Sequence, residues 1–213
     1  MTTPKIKICG ISTAETLDAV IAARAEYVGL NFYAPSPRAV DGKQAAMLAA
    51  RSEGRIARVG VFVEPGDALL AEAIAAGRLD AVQFHGHESP ERLAQAKARF
   101  GLPVWKAVPV AKAEDITAAA AFAGVADFIL FDAKTPKGTL PGGMGLSFDW
   151  SLLAAWKNRA PWGLAGGLSP VNVAEAARAT GAGLVDTSSG VESAPGVKDV
   201  QKIADFCAAV RTA

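Results

Sequence analysis

The sequence predicts an α/β fold, a closed barrel of eight parallel strands with helices outside, on three observations. Apolar runs of strand length alternate with longer, alanine-rich amphipathic stretches along the whole chain. Eight such units fit into 213 residues, which leaves under thirty residues each. That is short for a (β/α)8 barrel but within its range. No Pro- or Ser-rich linker interrupts the chain, and 51% of it is apolar, enough for one substantial core, so residues 1–213 read as a single domain. An open doubly wound sheet is the alternative. Eight units without a long excursion favour closure.

The first strand is Lys5–Cys9, followed by a helical pattern over Ala14–Ala25 with Ser12 or Thr13 as its cap. Tyr27–Asn31 is the second strand and Gln44–Ser52 its helix. Arg55–Val63 is the third strand and Asp80–Phe84 the fourth. Ser89-Pro90 then fits a cap and first turn for a helix over Pro90–Phe100. Pro103–Val108 is the fifth strand and Asp127–Phe131 the sixth. The longest irregular stretch, Ala133–Ser147, comes next and reads as a loop of the length that often covers a site. Pro161–Ala165 is the seventh strand, and Ser169-Pro170 caps a helix over Val171–Thr180. Gly183–Thr187 is the eighth strand.

Composition excludes several classes of function. The net charge is +1, with no basic block or stripe, which argues against nucleic acid as the main partner. No apolar stretch is long enough to cross a bilayer, so no membrane role is expected. Met1-Thr2-Thr3-Pro4 leads into a short run holding two lysines, unlike a secretory signal. Cys9 and Cys207 are the two cysteines, far apart and in unlike contexts. No disulfide framework is expected, and a cytoplasmic location fits.

Barrel enzymes carry their reactive groups at the C-terminal ends of the strands. Those ends read Cys9, Asn31, Glu64, His85, Lys106, Asp132, Gly166 and Ser188. Cys9 is either a small buried hydrophobe or a reactive thiol at a strand mouth. Asp132 closes a very apolar strand, so partial desolvation suits it to donate a proton; a cap for the next loop is the plainer role. His85 either contacts substrate or satisfies backbone groups. His87, further out, is expected in solvent. Cys207, among Phe206, Ala208 and Ala209, is expected to be packing.

Two small-residue loops follow the last two strands, Leu164-Ala165-Gly166-Gly167-Leu168 and Val185-Asp186-Thr187-Ser188-Ser189-Gly190. Glycine lets a phosphate approach backbone N–H groups closely, and in this architecture these loops are where a phosphate site is built. Alternation places Lys7 on the same strand face as Cys9, and Asp186 on the same face as Ser188. If Ile6 and Ile8 pack on the helices, Lys7 points inward, and strands one and eight are neighbours. A buried Lys7–Asp186 ion pair beneath the site follows, since an unpaired buried charge is costly. The other reading leaves Lys7 in water at the barrel floor.

Seven motifs in order extend these readings: Lys7-Ile8-Cys9-Gly10-Ile11; Phe32-Tyr33 with Ser36-Pro37-Arg38; Val59-Gly60-Val61-Phe62-Val63; Gln83-Phe84-His85-Gly86; Gly142-Gly143-Met144-Gly145 with Phe148-Asp149-Trp150; Ala165-Gly166-Gly167-Leu168; and Ser188-Ser189-Gly190-Val191-Glu192. Together they resemble the phosphoribosylanthranilate isomerases of tryptophan biosynthesis, from about Lys5 to Asp199. The resemblance implies a TIM barrel and an Amadori rearrangement of an aminoaldose phosphate, a small-molecule substrate, with no metal or redox cofactor. It implies Asp132 as general acid and Cys9 as general base, with Arg38 at the anthranilate end. Gly166, Gly167, Ser188, Ser189 and Gly190 would hold the phosphate, with His85 a further substrate contact and Asp186 in a supporting role. Lys7, or the positive ends of short helices, would lower the Cys9 thiol, since a cysteine base needs some thiolate.

Departures from the family pattern are small: Phe84 for leucine, Thr187 for valine, a polar Asn31, and one lysine fewer around Gly196-Val197-Lys198-Asp199. A histidine-pathway aminoaldose isomerase is the second enzymatic reading. Cys9 and a single clear phosphate site argue against it. A silent sugar-phosphate binding domain is a third reading, opposed by Cys9, Arg38 and Asp132 occurring together. Alanine-rich helix faces permit a monomer or a homodimer.

Overall fold

The computed structural model describes residues 3–135, 142, 145–156 and 160–213. Eight strands close into one barrel in chain order: β1 (Lys5–Cys9), β2 (Tyr27–Asn31), β3 (Ala57–Phe62), β4 (Ala81–Phe84), β5 (Val104–Val110), β6 (Phe128–Ala133), β7 (Trp162–Leu164) and β8 (Leu184–Thr187). Every neighbouring pair is parallel, and β1 closes the ring on β8 with Lys7 opposite Asp186. The closed barrel, not the open sheet, is the fold.

Local chemistry sets the helix starts. The Thr13 hydroxyl accepts the Thr16 N–H to begin α1 (Ala14–Ala22). Asp41 and Gln44 form a reciprocal capping box at α2 (Gly42–Ser52). The third helix, α3, is Asp67–Gly77. Ser89 caps α4 (Pro90–Phe100), with Pro90 in the first turn as expected. Further along are α5 (Ala113–Ala118), α6 (Val173–Thr180) and α7 (Val200–Arg211). A 3-10 helix, Trp150–Trp156, stands on the β6 side, where Trp156 packs edge-on against Phe131 at 5.2 Å.

Most element boundaries shift by a few residues from the sequence reading, and two of the shifts have a specific physical reason. The fifth strand runs past Val108 to Val110, because Pro109 lies exposed on the strand while the pairing with Asp132 and Ala133 continues around it. The helix expected from Val171 begins at Val173, and Ser169 does not cap it. Instead the Asn172 side chain accepts the Ser169 N–H at 2.8 Å and donates to the Gly167 carbonyl at 2.9 Å, tying the turn to the preceding loop.

Alternation divides the core in two. Ile6, Ile8, Phe62, Phe84 and Phe131 face the helices in the outer layer. Val59, Ala81, Trp105, Leu130, Ala165 and Leu184 fill the barrel interior. Trp105 packs between Tyr27 (5.2 Å) and Phe128 (4.7 Å) near the floor. Each fully buried large apolar side chain contributes about 1.5–3 kcal/mol. That apolar floor supports a polar upper half holding Lys7, Gln83, Asp132 and Asp186.

Candidate active site

A cleft at the C-terminal mouth encloses about 820 Å3 of atom-free space, continuous with solvent, and is lined by residues from several strand ends. Cys9, Arg38, His85, Asp132, Gly166, Gly167, Ser188 and Ser189 all line it, so the candidate residues converge. Gly190 is half-buried beside them in the 3-10 turn Ser189–Val191, where a Cβ would collide with the Leu168 carbonyl. Of the strand-end ring, Asn31 also lines the cleft, whereas Glu64 and Lys106 do not.

Cys9 ends β1 and is partly exposed. Gly29 makes room for it: a Cβ there would stand 2.7 Å from the Cys9 sulfur. Beneath the thiol, Lys7 is wholly buried, and its Nζ donates to both Asp186 oxygens at 3.1 Å. The inward ion pair expected from alternation is therefore present. Burial alone would push Lys7 down, but the Asp186 carboxylate and then Cys9 outweigh it and hold it above its ordinary value. Burial also pushes the Cys9 thiol up; Lys7 opposes this without overcoming it, Asp186 adds to it, and Lys198 opposes it. The expected lowering of the thiol is thus corrected, because desolvation at the strand mouth outweighs the nearby cations.

Asp132 is 6% exposed. Its Oδ1 accepts the Ala133 N–H at 2.8 Å, and its Oδ2 lies 3.1 Å from His85 Nε2. His85 thus joins the acid at the cleft rather than serving backbone groups. His87 is exposed, and Cys207 is packed in α7 with its thiol pushed up to about 11 by burial, as the sequence indicated.

The two glycine-rich loops meet at one side of the cleft. Gly166 holds φ +86°, and a Cβ there would collide with the Ala133 amide, so glycine alone fits. Thr187 links the loops through its hydroxyl, which donates to the Leu168 carbonyl at 2.7 Å. The Ser188 hydroxyl donates to the Cys9 carbonyl at 3.1 Å, joining the loop to the thiol strand.

Glu192 and Lys198 escaped the sequence reading, and both belong to a cluster with Arg38, which it named. Arg38 is 7% exposed, and its Nε and Nη2 donate to Glu192 at 2.7 and 2.8 Å. Hydrogen bonds from Arg38 and the charge of Lys198 hold Glu192 below its ordinary value against the opposing effect of burial. Lys198 also donates to the Ser188 carbonyl (3.0 Å) and hydroxyl (3.1 Å), and burial pushes it down while Glu192 resists. Glu192 closes the last quoted motif and Lys198 lies in the stretch noted as a departure, and a buried arginine demands an acid; that was the available signal.

Lys106 is a correction. It lies mid-strand on the helix-facing side of β5, since Trp105 and its neighbours of the same parity face inward. There its Nζ donates to the Gly86 carbonyl (2.6 Å) and to Glu88 (3.0 Å), away from the cleft. Glu88 in turn accepts the N–H groups of Glu64 (2.7 Å) and Gly86 (2.9 Å). Burial pushes Lys106 down, with Glu88 opposing.

Gly143 and Met144 of the fifth motif, and most of the expected covering loop Ala133–Ser147, lie outside the described residues. Among the described residues, no group of three His, Cys, Asp or Glu is disposed to hold a metal ion. No described helix is long and apolar enough to cross a membrane.

Comparison with known proteins places this geometry. A family model described as PRAI, N-(5'phosphoribosyl)anthranilate (PRA) isomerase, matches residues 6–209. An N-(5'-phosphoribosyl)anthranilate isomerase of Paramagnetospirillum magneticum is 51% identical over 208 residues, covering 97% of each chain. The crystal structure of the Thermotoga maritima phosphoribosyl anthranilate isomerase superposes with a TM-score of 0.89 at 33% identity, over 99% of this chain and 100% of that one. A phosphoribosyl anthranilate isomerase in complex with reduced 1-(o-carboxyphenylamino)-1-deoxyribulose 5-phosphate superposes with a TM-score of 0.87 at 31% identity, over 99% and 100%.

Proposed function

The chain belongs to the N-(5'-phosphoribosyl)anthranilate isomerase family, and from that premise we propose how its residues divide the chemistry. The protein is an intramolecular isomerase of tryptophan biosynthesis. It converts N-(5'-phosphoribosyl)anthranilate into 1-(2-carboxyphenylamino)-1-deoxyribulose 5-phosphate by an Amadori rearrangement. An aminoaldose becomes an aminoketose, so the ring oxygen must gain a proton and C2' must lose one.

Asp132 protonates the furanose oxygen, and the anthranilate nitrogen lone pair opens the ring to a Schiff base. Cys9 then takes the C2' proton, and the resulting enolamine tautomerises to the ketone. The single observation that carries this reading is one cleft with a thiol on β1 and a buried carboxyl on β6, three strands apart around the ring, beside both glycine loops. Lys7 beneath and Lys198 nearby supply positive charge toward the thiolate. Arg38, oriented by Glu192, faces the anthranilate end, where a guanidinium suits both carboxylate and ring. Gly166, Gly167, Ser188 and Ser189 hold the phosphate through backbone N–H groups, with Gly190 allowing the wall behind them to close.

Loss of anthranilate-type fluorescence from freshly generated substrate follows the reaction. Cys9→Ser and Asp132→Asn should keep the fold and slow turnover roughly a hundredfold to ten-thousandfold. Near-normal turnover in either variant removes the role given to that residue.

A further inference from the structure

Two residues before His85, Gln83 sits on the same face of β4 and is fully buried. Its Nε2 lies 3.3 Å from His85 Nδ1, and His85 Nε2 lies 3.1 Å from Asp132 Oδ2. A hydrogen-bonded chain therefore runs from Gln83 through the imidazole to the carboxyl. An amide N–H directed at Nδ1 makes that nitrogen an acceptor and leaves the hydrogen on Nε2, aimed at Asp132. Among the described residues, Gln83 Oε1 has no hydrogen-bond partner. A buried carbonyl without a donor is unfavourable, so space filling alone does not account for glutamine here; methionine would occupy the volume without that cost. Gln83 does not line the cleft, so any influence on substrate passes through His85.

We propose that Gln83 is a positioning residue for Asp132: its amide fixes His85 with the hydrogen on Nε2 and so holds the carboxyl in its working orientation. This rests on Asp132 being the acid. Gln83 decides which imidazole nitrogen carries the hydrogen, as the outer partner of a functional histidine commonly does.

The chain has two histidines, so nitrogen NMR of histidine-labelled protein shows two imidazoles, and His87→Gln tells them apart. In the wild type, His85 should carry hydrogen on Nε2 and none on Nδ1. Gln83→Glu, whose ionised carboxylate can only accept, should place a hydrogen on Nδ1. Gln83→Glu and Gln83→Met should each lower kcat on the order of tenfold and leave KM nearly unchanged, because no substrate contact is lost. A hydrogen on Nδ1 of wild-type His85 would overturn the proposal without recourse to any variant. So would an unaltered kcat in both variants. If Asp132→Asn is inactive while wild-type Nδ1 carries hydrogen, the Gln83 role alone fails. If Asp132→Asn keeps full turnover, the acid assignment fails and takes the catalytic purpose of Gln83 with it.

Discussion

Lys7 and Lys106 are both buried lysines on barrel strands, both paired with a carboxylate, and they stand on opposite sides of the barrel wall. Lys7 points inward from β1 to Asp186, directly below Cys9. Lys106 points outward from β5 to Glu88, under the turn that follows β4. Their ammonium groups are shifted in opposite directions: Asp186 and Cys9 hold Lys7 above its ordinary value, while burial keeps Lys106 below. Burial and pairing alone therefore do not mark a functional charge. What distinguishes Lys7 is a reactive neighbour that feels its field.

Substituting each lysine tests that contrast, and Lys7→Met should have the larger effect. It strands the buried Asp186 carboxylate, and breaking such a pair costs about 3–5 kcal/mol of stability. It also removes the chief group opposing the upward shift of Cys9. Less thiolate is then present at neutral pH, so kcat/KM should fall, on the order of tenfold. Lys106→Met should also cost stability, toward the lower end of the same range, because Glu88 keeps its bonds to the Glu64 and Gly86 N–H groups. Its kcat/KM should stay at the wild-type value. Loss of activity in Lys106→Met at a temperature where it remains folded would erase the distinction.

The pH dependence of stability should separate the two lysines as well. Lys7, raised in the folded chain, contributes stability that is full below the pKa of an unfolded lysine and lost as pH rises through the folded one. Lys106, lowered, does the reverse: its contribution is present above the unfolded value and lost as pH falls through the folded one. Denaturant unfolding across the alkaline range should therefore show a shallower loss in Lys7→Met than in the wild type and a steeper one in Lys106→Met. A smaller effect is expected at the rim. Glu192→Gln removes the charge of the carboxylate that orients Arg38 and pairs with Lys198, so KM should rise roughly tenfold, within the range of one charge-assisted hydrogen bond, with kcat little changed.

The same pair of lysines shows what the sequence makes legible. Lys7 and Asp186 are 179 residues apart, yet strand alternation and the adjacency of first and last strands in a closed ring were enough to join them. Lys106 is expected at the mouth although even the strand Pro103–Val108 continues beyond it; with the strand running to Val110, Lys106 sits mid-strand, and its parity turns it to the outer face. The convergence of Cys9, His85, Asp132 and both glycine loops on one cleft was readable because the C-terminal strand ends of a closed barrel meet at one mouth. The Arg38–Glu192–Lys198 cluster was not. Those contacts bring the loop after β2 against the short hairpin Glu192–Ala194 and Val197–Lys198, and no periodicity encodes that approach. Gln83 was missed for another reason: its position below His85 follows from alternation, but an unpartnered amide oxygen is visible only in three dimensions.

The most direct test of the account is the pH dependence of Cys9 alkylation in wild type, Lys7→Met and Lys106→Met. Cys207 is fully buried, so a small alkylating reagent reports on Cys9. The alkylation profile of Lys7→Met should move to higher pH than the wild type, in step with its kcat/KM, while Lys106→Met should overlay the wild type in both. Coincident profiles for wild type and Lys7→Met, or an equal displacement in Lys106→Met, would contradict the claim that the Lys7 charge restrains the upward shift that burial gives the thiol.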